Sequence, residues 1–151
     1  MCGFFIGPMA PMDSFRLDRF LQAQVGVYDV ALAEIRNGRK RSHWMWFIFP
    51  QIDGLAFNAT SKFYAIQNLE EARAYLDHPV LGPRLHECVE ALVNVDGKSA
   101  GDIFGYPDDM KLRSCATLFA RVSPPGSAFE RLLEKYFQGQ GDDRTLRLLG
   151  T

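Results

Sequence analysis

Leu81-Gly82-Pro83-Arg84-Leu85-His86-Glu87-Cys88-Val89-Glu90-Ala91-Leu92-Val93 is the stretch whose period decides the fold class. Leu81, Leu85, Cys88, Val89 and Leu92 recur at steps of three and four, the spacing that gathers side chains on one face of an α-helix. Arg84, His86 and Glu87 fall on the other, polar face. Pro79 is a suitable start, because a missing N–H costs nothing in the first turn. The pattern fades near Asn94, ahead of Gly97.

The same period recurs outward in both directions. Upstream, Phe20, Gln24, Val27, Ala31 and Ile35, widened by Leu21, Tyr28 and Leu32, predict one helix over 17–37, with Gly38 closing it. Residues 61–66 predict one helical turn, and Asn68 with Glu71 predicts a capping box ahead of a helix over 69–76. Downstream, Ser99 with Asp102 predicts a cap for a turn over 99–104. Asp108 is the expected cap of a helix over 108–122, whose apolar face is Leu112, Cys115, Phe119 and Val122. Ser123-Pro124-Pro125-Gly126 stops that helix. Ser127 and Glu130 open another, packed through Phe129, Leu132, Leu133, Tyr136 and Phe137. A last short helix carries Leu146, Leu148 and Leu149.

Few segments alternate with the period of a strand. The expected fold is all-α or mainly α, a compact orthogonal multi-helix domain with at most one very short two-stranded element near Phe47. Residues 1–14 are read as a flexible or loosely packed N-terminal arm, and 15–151 as a single helical domain.

Composition narrows the function classes. Hydrophobic residues make up 47% and charged residues 23%, which argues for a packed core and against disorder. Lys and Arg number 17 against 18 Asp and Glu, so no global field draws the chain to nucleic acid or to an anionic membrane. No apolar run approaches 18 residues, and the N-terminus lacks the basic start of a secretory signal. Cys2, Cys88 and Cys115 are too few and too scattered for a disulfide framework, and a reducing cytoplasm is the expected location. His43, His78 and His86 do not pair at a metal-ligand spacing, and no glycine pattern cradles a phosphate, so neither metal nor cofactor is expected.

Chemistry concentrates in Ser42-His43-Trp44-Met45-Trp46-Phe47-Ile48-Phe49-Pro50-Gln51, which reads as a short helix or a buried strand ended by Pro50. A polar group inside such an aromatic run is informative, because burying it unpaired is costly. Trp44 and Trp46 can stack on a planar ligand, Arg41 can meet phosphate, and Gln51 can hydrogen-bond. Lys62, Tyr64 and Arg113 complete the candidate ligand-binding set. His43, Asp109 and Lys111 form the candidate catalytic set, His43 as a general base with Asp109, Lys111 or Arg113 turned into a cleft facing its segment. The bland alternative is an aromatic core wedge with solvated charges around it.

The chain resembles domain-of-unknown-function family 1810, whose members often carry the label calpastatin. The matching stretches are 15–20 with 22–24, 39–51, 64–66 with 71–76, 78–82 and 109–114. That resemblance implies a mainly helical fold and carries no established reaction. Ser61-Lys62-Phe63-Tyr64-Ala65-Ile66-Gln67 is more distantly similar to the signature of NADAR-type domains, which act as N-glycosidases on ADP-ribose-type or riboflavin-intermediate substrates. Phe63, Tyr64 and Gln67 persist, but the glutamate that precedes this run in NADAR domains has no counterpart. The likeness implies a hydrolase cleaving an N-glycosidic bond in a nucleotide-derived or ADP-ribose-type small molecule. The alternatives are a non-catalytic module binding a phosphorylated or planar small molecule, and a protein-interaction domain, including a homodimer through exposed aromatics.

Overall fold

The structure, a computed structural model, describes residues 15–150. The arm assigned to 1–14 therefore lies outside the described residues. Helices α1 (Asp18–Gln24), α2 (Tyr28–Arg36), α3 (Met45–Ile48), α4 (Ala59–Tyr64) and α5 (Leu69–Asp77) make the first half. Helices α6 (Leu81–Val93), α7 (Ala100–Phe104), α8 (Asp108–Ala120), α9 (Ala128–Phe137) and α10 (Asp143–Leu148) make the second. Among the described residues, pairing of strand type is limited to one isolated parallel bridge, Ile52 with Ile66. The mainly helical expectation holds, and in place of a two-stranded element near Phe47 there is only this single bridge, just past the aromatic run.

The core is built around α8. Every residue from Ser114 to Phe119 is buried, so this helix is covered on all sides. Helices α5, α7, α9 and α10 all pack against it, and α6 lies against α2, α5 and α9. Phe119 stacks on Phe129 and meets Tyr75, whose ring stands edge-on to Phe20. Burial of each such side chain contributes about 1.5–3 kcal/mol. Gly82 permits the close approach of α5 and α6: a Cβ there would lie 2.0 Å from the Leu76 carbonyl oxygen.

The helix expected over 17–37 is in fact two. Gly26 takes a left-handed φ of +70° and breaks it between two β-branched valines, leaving Val25 77% exposed. The far end closes as predicted: Gly38 N–H donates to Ile35 and Arg39 N–H to Glu34, the paired bonds of a Schellman motif. Asn68 and Ser127 cap α5 and α9 by accepting from Glu71 and Glu130. The returning carboxylates reach one residue further back than a capping box requires, to Gln67 N–H and Gly126 N–H. Asp108 is the first residue of α8 and not its cap, since its carboxylate is committed to two lysines.

No helix among the described residues is long and apolar enough to cross a membrane. The same residues hold no group of three or more His, Cys, Asp or Glu placed to hold a metal ion.

Candidate functional site

The aromatic run folds as the single turn α3, ended where Pro50 holds Phe49 out of helical geometry. Its alternate residues then part company. Trp44 is fully buried against Phe49 and Phe104. Its indole N–H donates to Glu34 Oε1 at 2.9 Å. Glu34 also accepts from Ser42 Oγ at 2.6 Å and from the backbone N–H groups of Arg41 and Ser42. Burial by itself would raise the Glu34 carboxyl, but these four bonds override it and hold the pKa at about 2. Trp44 is thus a core residue with a polar tether, and its ring is closed to any ligand.

Trp46 points the other way. Together with Gln51, Ile52, Asp53, Gly54, Leu55, Ala56, Ser61, Tyr64 and Ala65 it encloses a small cavity of about 10 Å³. Backbone pairing sets this wall: Ile66 N–H donates to Gln51, and Asp53 N–H donates back to Ile66, both at 2.8 Å. The bridge aligns the segment after Pro50 beside the end of α4, which brings Gln51, Asp53 and Tyr64 to one place. Gln51 is only 5% exposed, and its side-chain Nε2 has no hydrogen-bond partner.

Charged groups rim this wall in pairs. Lys62 Nζ lies 2.9 Å from Asp53 Oδ1, and also sits over the Phe57 ring. Lys111 Nζ lies over the Trp46 ring, 4.6 Å from its centroid. Asp108 bridges Lys111 and Lys40 at 2.9 Å each, and Lys40 is held in turn over the Trp44 ring. Burial would raise the Asp108 carboxyl, but the hydrogen bonds from Lys40 and Lys111 hold it below its ordinary value.

The structure therefore brings together Trp46, Gln51, Tyr64, Lys62 and Lys111. The remaining candidates stand elsewhere. His43 and the Arg41 side chain are exposed ahead of α3. Asp109 turns its carboxylate to the Met110 N–H at the start of α8. Arg113 donates to the Gln140 carbonyl and covers Phe137, bracing the connection between α9 and α10. Sequence reasoning missed Asp53 and Ser61 in the cavity wall, because an Asp-Gly pair and a serine in a polar stretch read as ordinary turn residues. It also missed Glu34 as the hub beneath Trp44.

A second buried network lies at the same, C-terminal end of α4. Arg19, 9% exposed, donates to the carbonyls of Phe15, Arg16, Phe63 and Ala65 and pairs with Glu71 at 2.7 Å. All five N–H donors of the guanidinium are engaged, so this cluster ties α1 to α4 and α5 and offers nothing to a ligand.

Comparison with known proteins gives two matches. A solved structure, that of the conserved hypothetical protein Rv1873 from Mycobacterium tuberculosis, is 50% identical and covers 93% of this chain and 99% of that one, with a TM-score of 0.88. Comparison with curated proteins gives no match. The family model described as a protein of unknown function, DUF1810, matches residues 14–149. Neither match is to a NADAR-type domain, so that likeness rests only on the residues quoted for it. The family match takes in the whole cavity wall and its charged rim, and on that span the chain belongs to the DUF1810 family.

Proposed function

We propose that this chain binds a small planar ligand bearing hydrogen-bond acceptors, seated against Trp46, Gln51 and Tyr64. One observation carries the reading: the Gln51 amide nitrogen is buried in a cavity wall with nothing to donate to. Such a group costs about 1–3 kcal/mol, which an acceptor on a ligand recovers. Lys111 occupies one face of the Trp46 indole, so an incoming ring has the other. Around the indoles, Lys40 and Lys111 share the single carboxylate of Asp108, a surplus of cation that favours an anionic or phosphorylated substituent.

Titration calorimetry with nucleosides, nicotinamide, their phosphates and ADP-ribose tests the reading. Saturable binding that is lost in Gln51→Leu and weakened in Trp46→Ala is the expected result. No binding across the panel, or equal affinity in Gln51→Leu, overturns it.

A catalytic version is favoured by one further observation: the Asp53 carboxylate lines the same cavity, with Lys62 beside it. In an N-glycosidase-like hydrolase, water would add to the anomeric carbon, the carbon–nitrogen bond would break, and the base would leave with a proton. Asp53 would orient that water. Incubation with ADP-ribosylated guanosine and related metabolites, read by mass spectrometry, tests this version. Turnover abolished in Asp53→Asn supports it, and no turnover by the parent chain removes it.

A further inference from the structure

The cavity beside Gln51 holds about 10 Å³, the space of one water, whereas small-molecule sites commonly occupy several hundred. A ligand of any size must therefore move part of the wall. The wall segment that belongs to no helix and no bridge is the loop 53–56. Helices frame the cavity through Trp46, Ser61 and Tyr64, and the parallel bridge fixes Ile52. Beyond Asp53 the loop is held from inside by Leu55, half-buried against the hydrophobic core, and from outside by two contacts from the C-terminal helix. Arg144 Nη2 donates to the carbonyls of Gly54 and Leu55 at 3.4 and 3.5 Å, both long. The Leu148 side chain lies across Gly54 so closely that a Cβ on Gly54 would meet it at 3.1 Å. Gly54 has a φ of +106°, a conformation reserved in practice for glycine.

The contacts are weak in a particular way. Arg144 is exposed and Leu148 is 48% exposed, although a leucine on a short terminal helix ordinarily turns inward. Leu148 spends its apolar surface on the loop and not on the core. The helix itself is anchored separately, through Asp142, whose carboxylate accepts from Thr145 N–H and whose own N–H donates to Thr117 Oγ1 of α8. Releasing the two loop contacts therefore need not unfold α10.

We propose that α10 is a latch: Arg144 and Leu148 hold the loop 53–56 shut over the Gln51 cavity, and their release opens it. The purpose of the latch rests on the ligand reading above, but its mechanics do not. A loop outside regular structure, with one half-buried apolar anchor and two weak contacts over it, opens locally at a fraction of the cost of unfolding, as access lids do.

The test reads opening without any ligand. In the full chain with Cys2→Ser, Ser61→Cys places a thiol of matching size in the cavity wall, at a site only 4% exposed. Cys88 and Cys115 are each 1% exposed and supply a slow background. Modification by methyl methanethiosulfonate is followed by mass spectrometry. Leu148→Ala and Arg144→Ala each speed labelling of residue 61 about three- to tenfold, the equivalent of one lost weak contact, and together they do more. Arg147→Ala, exposed on the same helix, leaves the rate where it was. Rates within about twofold of the parent in both variants, with melting unchanged, overturn the latch. Should Leu148→Ala lose its cooperative melt, the surface change Arg144→Ala carries the comparison. Fast labelling in the latch variants combined with no ligand binding keeps the latch and removes the ligand reading.

Discussion

Removing the Glu34 carboxylate tests the account of how the aromatic run is oriented. Four donors converge on it: Trp44 Nε1, Ser42 Oγ and the N–H groups of Arg41 and Ser42. In Glu34→Ala the indole N–H is left inside a fully buried ring with no acceptor, at about 1–3 kcal/mol. The two backbone amides and the hydroxyl lie nearer solvent, where water replaces most of what is lost, and add about 1 kcal/mol together. The expected destabilisation is about 2–4 kcal/mol by urea unfolding at neutral pH. The carboxylate also has a pH signature. Its pKa is depressed in the folded state, to about 2 from 4.5, so its contribution is complete above pH 4.5 and is lost as pH falls towards 2. Because the group is partly open to solvent, that contribution is discounted to about 1–2 kcal/mol. Glu34→Gln keeps the shape and flattens this acid limb. A loss below about 1 kcal/mol in Glu34→Ala, with an unchanged acid limb in Glu34→Gln, would refute the reasoning.

Gln51→Leu, which removes an unpartnered buried amide, leaves the unliganded protein as stable or stabilises it by about 1 kcal/mol, seen as a higher Tm; a marked loss would mean that the amide is satisfied. Arg19→Met leaves Glu71 buried without its cation and costs about 3–5 kcal/mol in denaturant unfolding, whereas breaking an exposed pair such as Arg131 with Glu90 leaves the unfolding midpoint nearly where it was. His78 Nδ1 accepts from the N–H groups of Val80 and Leu81 at the start of α6, and burial lowers its pKa. The neutral ring is therefore the stabilising form. Its contribution is present above about pH 6.5 and declines as pH falls through the lowered folded value, and His78→Asn, which keeps an acceptor, removes that dependence from a Tm series.

The helices were written in local pattern. Leu81, Leu85, Cys88, Val89 and Leu92 announce α6, and Asn68, Ser99 and Ser127 mark helix starts through side chains that reach only their own first turn. These signals are legible because the interactions behind them span three or four residues. The break at Gly26 was less so, since the apolar period runs through it and only packing of α1 and α2 on different partners shows that the chain turns. The candidate site was partly legible. Trp46, Gln51, Lys62, Tyr64 and Lys111 stand out as polar or aromatic residues in telling places, and the structure gathers them.

What sequence could not decide is which of two neighbouring indoles faces the cavity. Trp44 and Trp46 are equivalent by type and surroundings along the chain, and they separate only because α3 is a single turn seated on Glu34. Nor could it join Asp53 to the wall, or Leu148 and Arg144 to the loop some 90 residues earlier. Local order is set by the period of apolar residues and by short-range capping. Convergence of side chains is set by which helix faces find one another, and that is a property of the packed whole.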